Sequence, residues 1–98
     1  MPEVARKTDA ISTGHDCDTT STIEGHATKC YAEGLEIARM GDKITEHNVP
    51  SDDECVPHTV YIAGGSSTVY VEGMAIARKD DAVDNDKITG HANTVFAG

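Results

Sequence analysis

The chain has 98 residues, enough for one small domain whose core alone stabilises a fold only narrowly, and too few for a second. Hydrophobic residues make up 38%, with three Tyr, one Phe and no Trp, so little large apolar surface is available to bury and an added staple is expected, either a metal or an assembly. Eight Lys and Arg against seventeen Asp and Glu give a formal charge of −9, which argues against nucleic acid as a partner and against charge-driven adhesion to an anionic bilayer.

Met1-Pro2-Glu3-Val4-Ala5-Arg6 lacks the apolar region of a secretory signal, and no stretch approaches the roughly 18 apolar residues of a spanning helix. Synthesis in the cytoplasm and, if the chain is exported, exit by another route are expected. Val4-Ala5-Arg6 followed by Asp9 is the first of three copies of one motif: a β-branched residue, Ala, Arg and, three places on, Asp. Ile37-Ala38-Arg39 with Asp42 and Ile76-Ala77-Arg78 with Asp81 are the others. After each copy comes a loop of different length. The first, residues 10–22, holds His15 and Cys17; the second, 43–61, holds His47, Cys55 and His58; the third, 82–87, holds Asp84, Asn85 and Asp86.

Each loop leads to a second repeated element that starts Ile-x-Gly, places an aromatic residue eight positions after the Ile and closes on Gly. Ile23, Gly25, Tyr31 and Gly34 make the first copy, Ile62, Gly64, Tyr70 and Gly73 the second, Ile88, Gly90, Phe96 and Gly98 the third. Glu33-Gly34 and Glu72-Gly73 stand between short β-rich runs, which is a two-residue hairpin signal, although Glu is unusual at the first turn position. Helical periodicity is missing throughout. The pattern predicts one all-β domain, residues 1–98, in which three hairpin units surround a pseudo-threefold axis and the two ends of the chain meet to complete one unit. Such an axis would match a trimeric partner.

Equivalent loops should converge at one end of that axis. Zinc takes four N or S ligands in closed structural sites and supplies folding free energy that a small core lacks. His15, His47, His58 and a thiolate would meet the count, with Cys55-Val56-Pro57-His58 and His15-Asp16-Cys17 as close-spaced pairs. The odd number of cysteines rules out a complete disulfide framework, while a single Cys17–Cys55 bridge stays open, as does an orienting role for Asp16 or Asp53. Aligning the repeats sets other residues aside. His26 and His91 fall opposite Gly65 and read as surface residues, Cys30 falls opposite Val69 and Val95 and reads as a small core hydrophobe, and the three Arg and Asp pairs read as turn-fixing contacts. There is no nucleophile elbow, phosphate loop or H-E-x-x-H, so catalysis is not expected; only an open fourth metal position would leave room for a small stand-alone metal-binding or hydrolytic domain.

The repeated A-R-x-x-D, the G-x-x-x-V-[YF] strand at Gly65–Tyr70, the loop histidines and the closing Val95-Phe96-Ala97-Gly98 resemble the PAAR-repeat family over nearly the whole chain. The resemblance implies a cone of β-structure that tips the membrane-piercing spike of a contractile injection machine, in a phage tail baseplate or a type VI secretion system. Its base would dock on a trimeric β-helical spike protein, one tip per trimer, and it would touch the target envelope only mechanically. It would reside in the virion or leave through the secretion apparatus, and residues 4–98 leave no room for a fused effector, which favours the phage baseplate. The family's zinc has three His and one Cys, which places His15, His47 and His58 as ligands. The family's third-loop Cys is replaced here by Asp84-Asn85-Asp86, so the fourth ligand falls to Cys55, then Cys17, then Asp84 or Asp86. The family's x-Gly-Asp turn survives only at Gly41-Asp42.

Overall fold

A computed structural model describes residues 1–98, and its centre is a closed cycle of backbone hydrogen bonds. The N–H of Ala5 donates to the carbonyl of Ala77, that of Ala77 to Ala38 and that of Ala38 to Ala5, each at 3.0 Å. All three alanines are fully buried. Alanine suits this place because three backbones approach one line, and a larger side chain would force them apart.

The same threefold order governs the turns. Asp9, Asp42 and Asp81 each accept from the backbone N–H, Nε and Nη2 of the Arg three residues before, at 2.7 to 3.1 Å. The Nη2 of each Arg also donates to a carbonyl of a neighbouring strand: that of His91, His26 or Gly65. These forks raise the guanidinium pKa values, the bond to the Asp being the largest cause. Each Asp in turn donates its N–H to the Arg carbonyl, and the second of the two residues between them has positive φ: Thr8 at 71°, Gly41 at 91° and Asp80 at 72°. Positive φ at the third position marks a type II turn and is the reason Gly suits it. The geometry of the x-Gly-Asp turn is therefore kept in all three copies, although only one keeps the glycine.

Ten short strands form five two-stranded antiparallel sheets, and there is no helix. β1 (Ala10–Ser12) pairs with β2 (Thr20–Thr22), β3 (Tyr31–Ala32) with β4 (Leu35–Glu36), and β5 (His47–Ser51) with β6 (Glu54–His58). β7 (Tyr70–Val71) pairs with β8 (Met74–Ala75), and β9 (Ala82–Val83) with β10 (Asp86–Lys87). Single bridges stitch unit to unit: Ile23 to Ile44, Ile62 to Val83 and Ile88 to Ile11. The last of these, with Glu3 to Phe96, joins the two ends of the chain. The Ile-x-Gly motif now has its reason. A Cβ at Gly25, Gly64 or Gly90 would lie 2.4 to 2.8 Å from the backbone nitrogen of Lys43, Ala82 or Ala10, so only hydrogen fits where the next strand crosses.

Two apolar clusters lie on either side of this crossing. One joins the three axial alanines to Ile11, Ile23, Ile44, Ile62, Val83 and Ile88 beneath the loops. The other gathers Val4, Ile37 and Ile76 with small residues of the hairpins, and Cys30 packs against it half-buried. The molecule measures 41 × 23 × 21 Å, long in one direction and nearly equal in the other two.

Glu33-Gly34 and Glu72-Gly73 both have positive φ at the two central positions, the type I′ pattern that suits a twisted hairpin. The unusual Glu earns its place through its side chain. Glu33 accepts from the N–H groups of Asn93 and Thr94, the Thr94 hydroxyl and Arg6 Nη1. Glu72 does the same toward Thr28, Lys29 and Arg39. In the third interface a buried Ser66 hydroxyl instead donates to the Gly98 carbonyl.

Thr8→Gly should raise stability by about 0.5 to 1 kcal/mol, because relief of roughly 1 to 2 kcal/mol of left-handed strain outweighs glycine's greater unfolded-state freedom. Chemical denaturation measures this. The Thr94 hydroxyl and Asn93 N–H hold the Glu33 carboxyl below its ordinary 4.5, and the Thr28 and Lys29 N–H groups do so for Glu72. Their stabilising effect is thus complete above pH 4.5 and lost as pH falls through the lowered values. A Glu33→Gln/Glu72→Gln variant should melt at a temperature that varies less between about pH 5 and about pH 3 than the parent does.

Candidate metal centre

The three loops converge. Loop one carries His15 just after Gly14; β5 begins at His47 and β6 ends at His58, which face each other directly in the register of that hairpin. The third loop is itself a minimal hairpin whose turn starts at Asp84, with φ 54°. His15 and His47 stack with ring centroids 5.3 Å apart and 17° between planes, and His58 stands edge-on to both. Asp84 closes the group. Its Oδ2 lies 2.8 Å from His47 Nε2 and 2.9 Å from His15 Nε2, and its Oδ1 lies 3.3 Å from His58 Nε2.

What orients the rings can be read from their other nitrogens. His15 Nδ1–H donates to the Asp16 carbonyl and His47 Nδ1–H to the Thr45 carbonyl, each at 2.9 Å, since a carbonyl can only accept. A neutral ring so held presents a bare lone pair at Nε2. In both residues that lone pair faces carboxylate oxygens. Either the rings take up a second proton, giving imidazoliums packed about 5 Å apart in a site that is largely shielded from water, or a cation lies between them. The Asp16 carbonyl bond, opposed by burial and aided by Asp84, raises the His15 pKa. Burial alone would raise the Asp84 carboxyl, but the bonds from His47, His15 and His58 outweigh it and hold the pKa below 3.8.

A metal resolves the conflict with one cation in place of two. The four ligand atoms lie within 4.8 Å of one another, and a tetrahedral ion with bonds of about 2.0 to 2.1 Å needs ligand atoms about 3.3 Å apart. The cluster could therefore hold a metal ion once its closest pairs separate and its widest pairs draw in toward that spacing. Both carbonyl-anchored rings already present the nitrogen that coordination needs, and the His47 and Asp84 side chains are only 3% and 5% exposed. His58, at 32%, is the most open of the four.

The expected ligand set needs one change. The structure brings His15, His47 and His58 together but bonds Cys55 to Cys17 in a disulfide, so neither sulfur is available as a thiolate. The fourth position belongs to Asp84, which the sequence placed behind both cysteines. Asp86 turns elsewhere and accepts from the Ser12 hydroxyl at 2.7 Å. Asp16 orients His15 through its carbonyl oxygen, not its carboxylate, and Asp53 lies in the exposed turn at the far end of the β5–β6 hairpin. His26 and His91 lie outside the cluster and partly exposed, and each donates Nδ1–H to the following Ala27 or Ala92 carbonyl at 2.7 Å and sits 3.6 or 3.7 Å from Glu36 or Glu3.

One contributor left no sign in sequence. Gly14, at φ 75°, runs against the third loop so closely that a Cβ would stand 2.6 Å from the Asn85 carbonyl oxygen, while Asn85 N–H donates to Thr13 O at 3.0 Å. The backbone next to Asp84 is thereby pressed onto loop one. No protein-family model matches the chain, and no curated protein matches it.

His47→Ala and Asp84→Ala should each reduce metal content measured by elemental analysis to below about a tenth of the parent's. Gly14→Ala, which displaces the third loop without touching a ligand, should lower metal affinity about 10- to 100-fold. His91→Ala should leave metal content unchanged.

Proposed function

We propose that this chain is the tip of the central spike of a contractile injection machine, a PAAR-like cone that docks on a trimeric β-helical spike protein with one chain per trimer. The observation that carries the reading is the coincidence of two features on one line: a cyclic set of alanine hydrogen bonds and, beyond it, loops of all three units delivering His15, His47, His58 and Asp84 to one point. A single chain with a threefold core can meet a threefold partner symmetrically, which a chain without one cannot do.

Its dimensions suit the task, since 41 Å of length over a cross-section of 23 by 21 Å makes a narrow body. Zinc is the ion we assign to the cluster, because four-coordinate sites of imidazole and carboxylate suit it. Bound there, it would tie the three loops to one another at their shared end, so that they resist fraying under load. The chain does no chemistry of its own in this reading; force comes from the machine and is concentrated at the point. A charge of −9 fits passage through an anionic envelope without adhesion.

At the hairpin end, Tyr31, Tyr70 and Phe96 occupy equivalent positions in the three units and are 59%, 62% and 47% exposed. Aromatic side chains repeated in this way suit a threefold platform. In this reading the chain works in the virion of a tailed phage or leaves the cell through a type VI apparatus. A stand-alone hydrolytic domain is less well supported, because Asp84 fills the position that a reactive water would need.

Native mass spectrometry of the chain mixed with a trimeric β-helical spike fragment tests the reading. One chain and one zinc per trimer is expected; no complex, or three chains per trimer, would overturn it. Replacing Tyr31, Tyr70 and Phe96 together by Ser should weaken the complex at least about a hundredfold while leaving metal content alone.

A further inference from the structure

The disulfide between Cys17 and Cys55 removes two thiols from the ligand set. Its position gives it a further role. Cys17 is two residues beyond His15, and Cys55 is three residues before His58 on the same strand, so the bond crosses between two of the loops that hold the cluster. The Cα atoms are 5.9 Å apart across a sequence separation of 38. Beside it, Asn48 donates its N–H and Nδ2 to Asp18 Oδ2 at 2.7 and 3.1 Å, and Asp18 N–H donates to the Asn48 carbonyl at 3.3 Å. Cys17 itself has φ 73°, a conformation that a residue with a side chain keeps only when its surroundings hold it. Both cysteines are exposed.

We infer that Cys17 and Cys55 form a redox lock on the His15, His47, His58 and Asp84 cluster: the disulfide state takes up metal tightly, and the dithiol state binds it more weakly. This rests on reading the cluster as a metal site. The cause is preorganisation. A ligand set whose loops are already tied together loses less conformational freedom when the ion arrives than one in which loop one must first be brought to β6. Because the coupling is reciprocal, metal must favour the disulfide over the dithiol by the same factor.

Magnitude follows from what remains when the bond is cut. Contacts that support metal ligands commonly change affinity by about 10- to 100-fold, and loop one keeps its bonds through Thr13 and Asp18, so a factor of about ten is expected. Exposure makes the bond reachable by small thiols and disulfides, the trait of a labile bridge. Glutathione disulfide closes the lock in two exchange steps. The Cys17 sulfur attacks one sulfur of glutathione disulfide, forming a mixed disulfide and expelling one glutathione. The Cys55 sulfur then attacks Cys17 Sγ and expels the second. Two protein thiols are oxidised, one glutathione disulfide is reduced to two glutathione thiols, and the two protons pass to them. A reducing compartment thus holds the looser form and an oxidising one the locked form.

Zinc affinity of the full chain, measured by competition with a chromophoric chelator, tests the lock by comparing the disulfide form with Cys17→Ser/Cys55→Ser. About tenfold weaker binding in the variant is expected. Equal affinity would overturn the lock and leave the metal centre standing; no zinc in either form would remove both. A second measurement needs no variant and so does not depend on its folding. The unaltered chain is equilibrated in glutathione redox buffers with free zinc clamped or absent, and its thiols are trapped by alkylation. Zinc should move the midpoint toward the disulfide by the same tenfold factor, about 30 mV for a two-electron couple. An unmoved midpoint would overturn the proposal.

Discussion

Ala5, Ala38 and Ala77 each donate a backbone N–H to another of the three, and this closed cycle on one line is the constraint around which the molecule is arranged. Three strands that meet so closely must each turn away at once, and the Arg forks onto Asp9, Asp42 and Asp81 make them turn in the same way. The loops then leave on one side and the hairpins on the other. The glycines after Ile23, Ile62 and Ile88 belong to the same constraint, since each lets a neighbouring strand cross at van der Waals contact.

A fold built this way has little core to rely on. Only 22 of 98 residues are buried, 17 of them Ala, Val or Ile, and every sheet has just two strands. Polar contacts between units take up part of the work of apolar packing. Glu33 and Glu72 hold the backbone N–H groups of the next hairpin, and no buried side-chain polar atom is left without a partner. At the loop end, where the apolar cluster runs out, the disulfide, the Asp18 contacts with Asn48 and the histidine cluster do the tying.

Electrostatics sets the character of that cluster. One nearly buried carboxylate faces three imidazole nitrogens, and two of the rings already spend their only neutral-state proton on a backbone carbonyl. Such a group is satisfied either by extra protons or by one cation, and the cation introduces less repulsion. An aspartate as fourth member makes the set harder than one of three His and one Cys would be, and the two cysteines instead form a strap outside it.

The sequence by itself determined what recurs. Three copies of Ala-Arg and Asp, three of Ile-x-Gly and two Glu-Gly turns carry short-range information, so the hairpins at Glu33-Gly34 and Glu72-Gly73 and the segments that hold His15, His47 and His58 were legible, whereas the hairpins β1–β2, β5–β6 and β9–β10 inside those segments were not. It could not choose between a thiolate and a carboxylate as fourth member. Cys55 stands three residues from His58, and proximity along the chain favoured it, yet its partner is Cys17, 38 residues away, while Asp84 reaches His15 across 69. Nor could it show that Thr8 and Asp80 keep a glycine's conformation, that Gly14 presses the third loop into place, or that His26 and His91 are held by backbone carbonyls. Those outcomes depend on which backbones meet once the ring has closed, and only the tertiary structure fixes these distances.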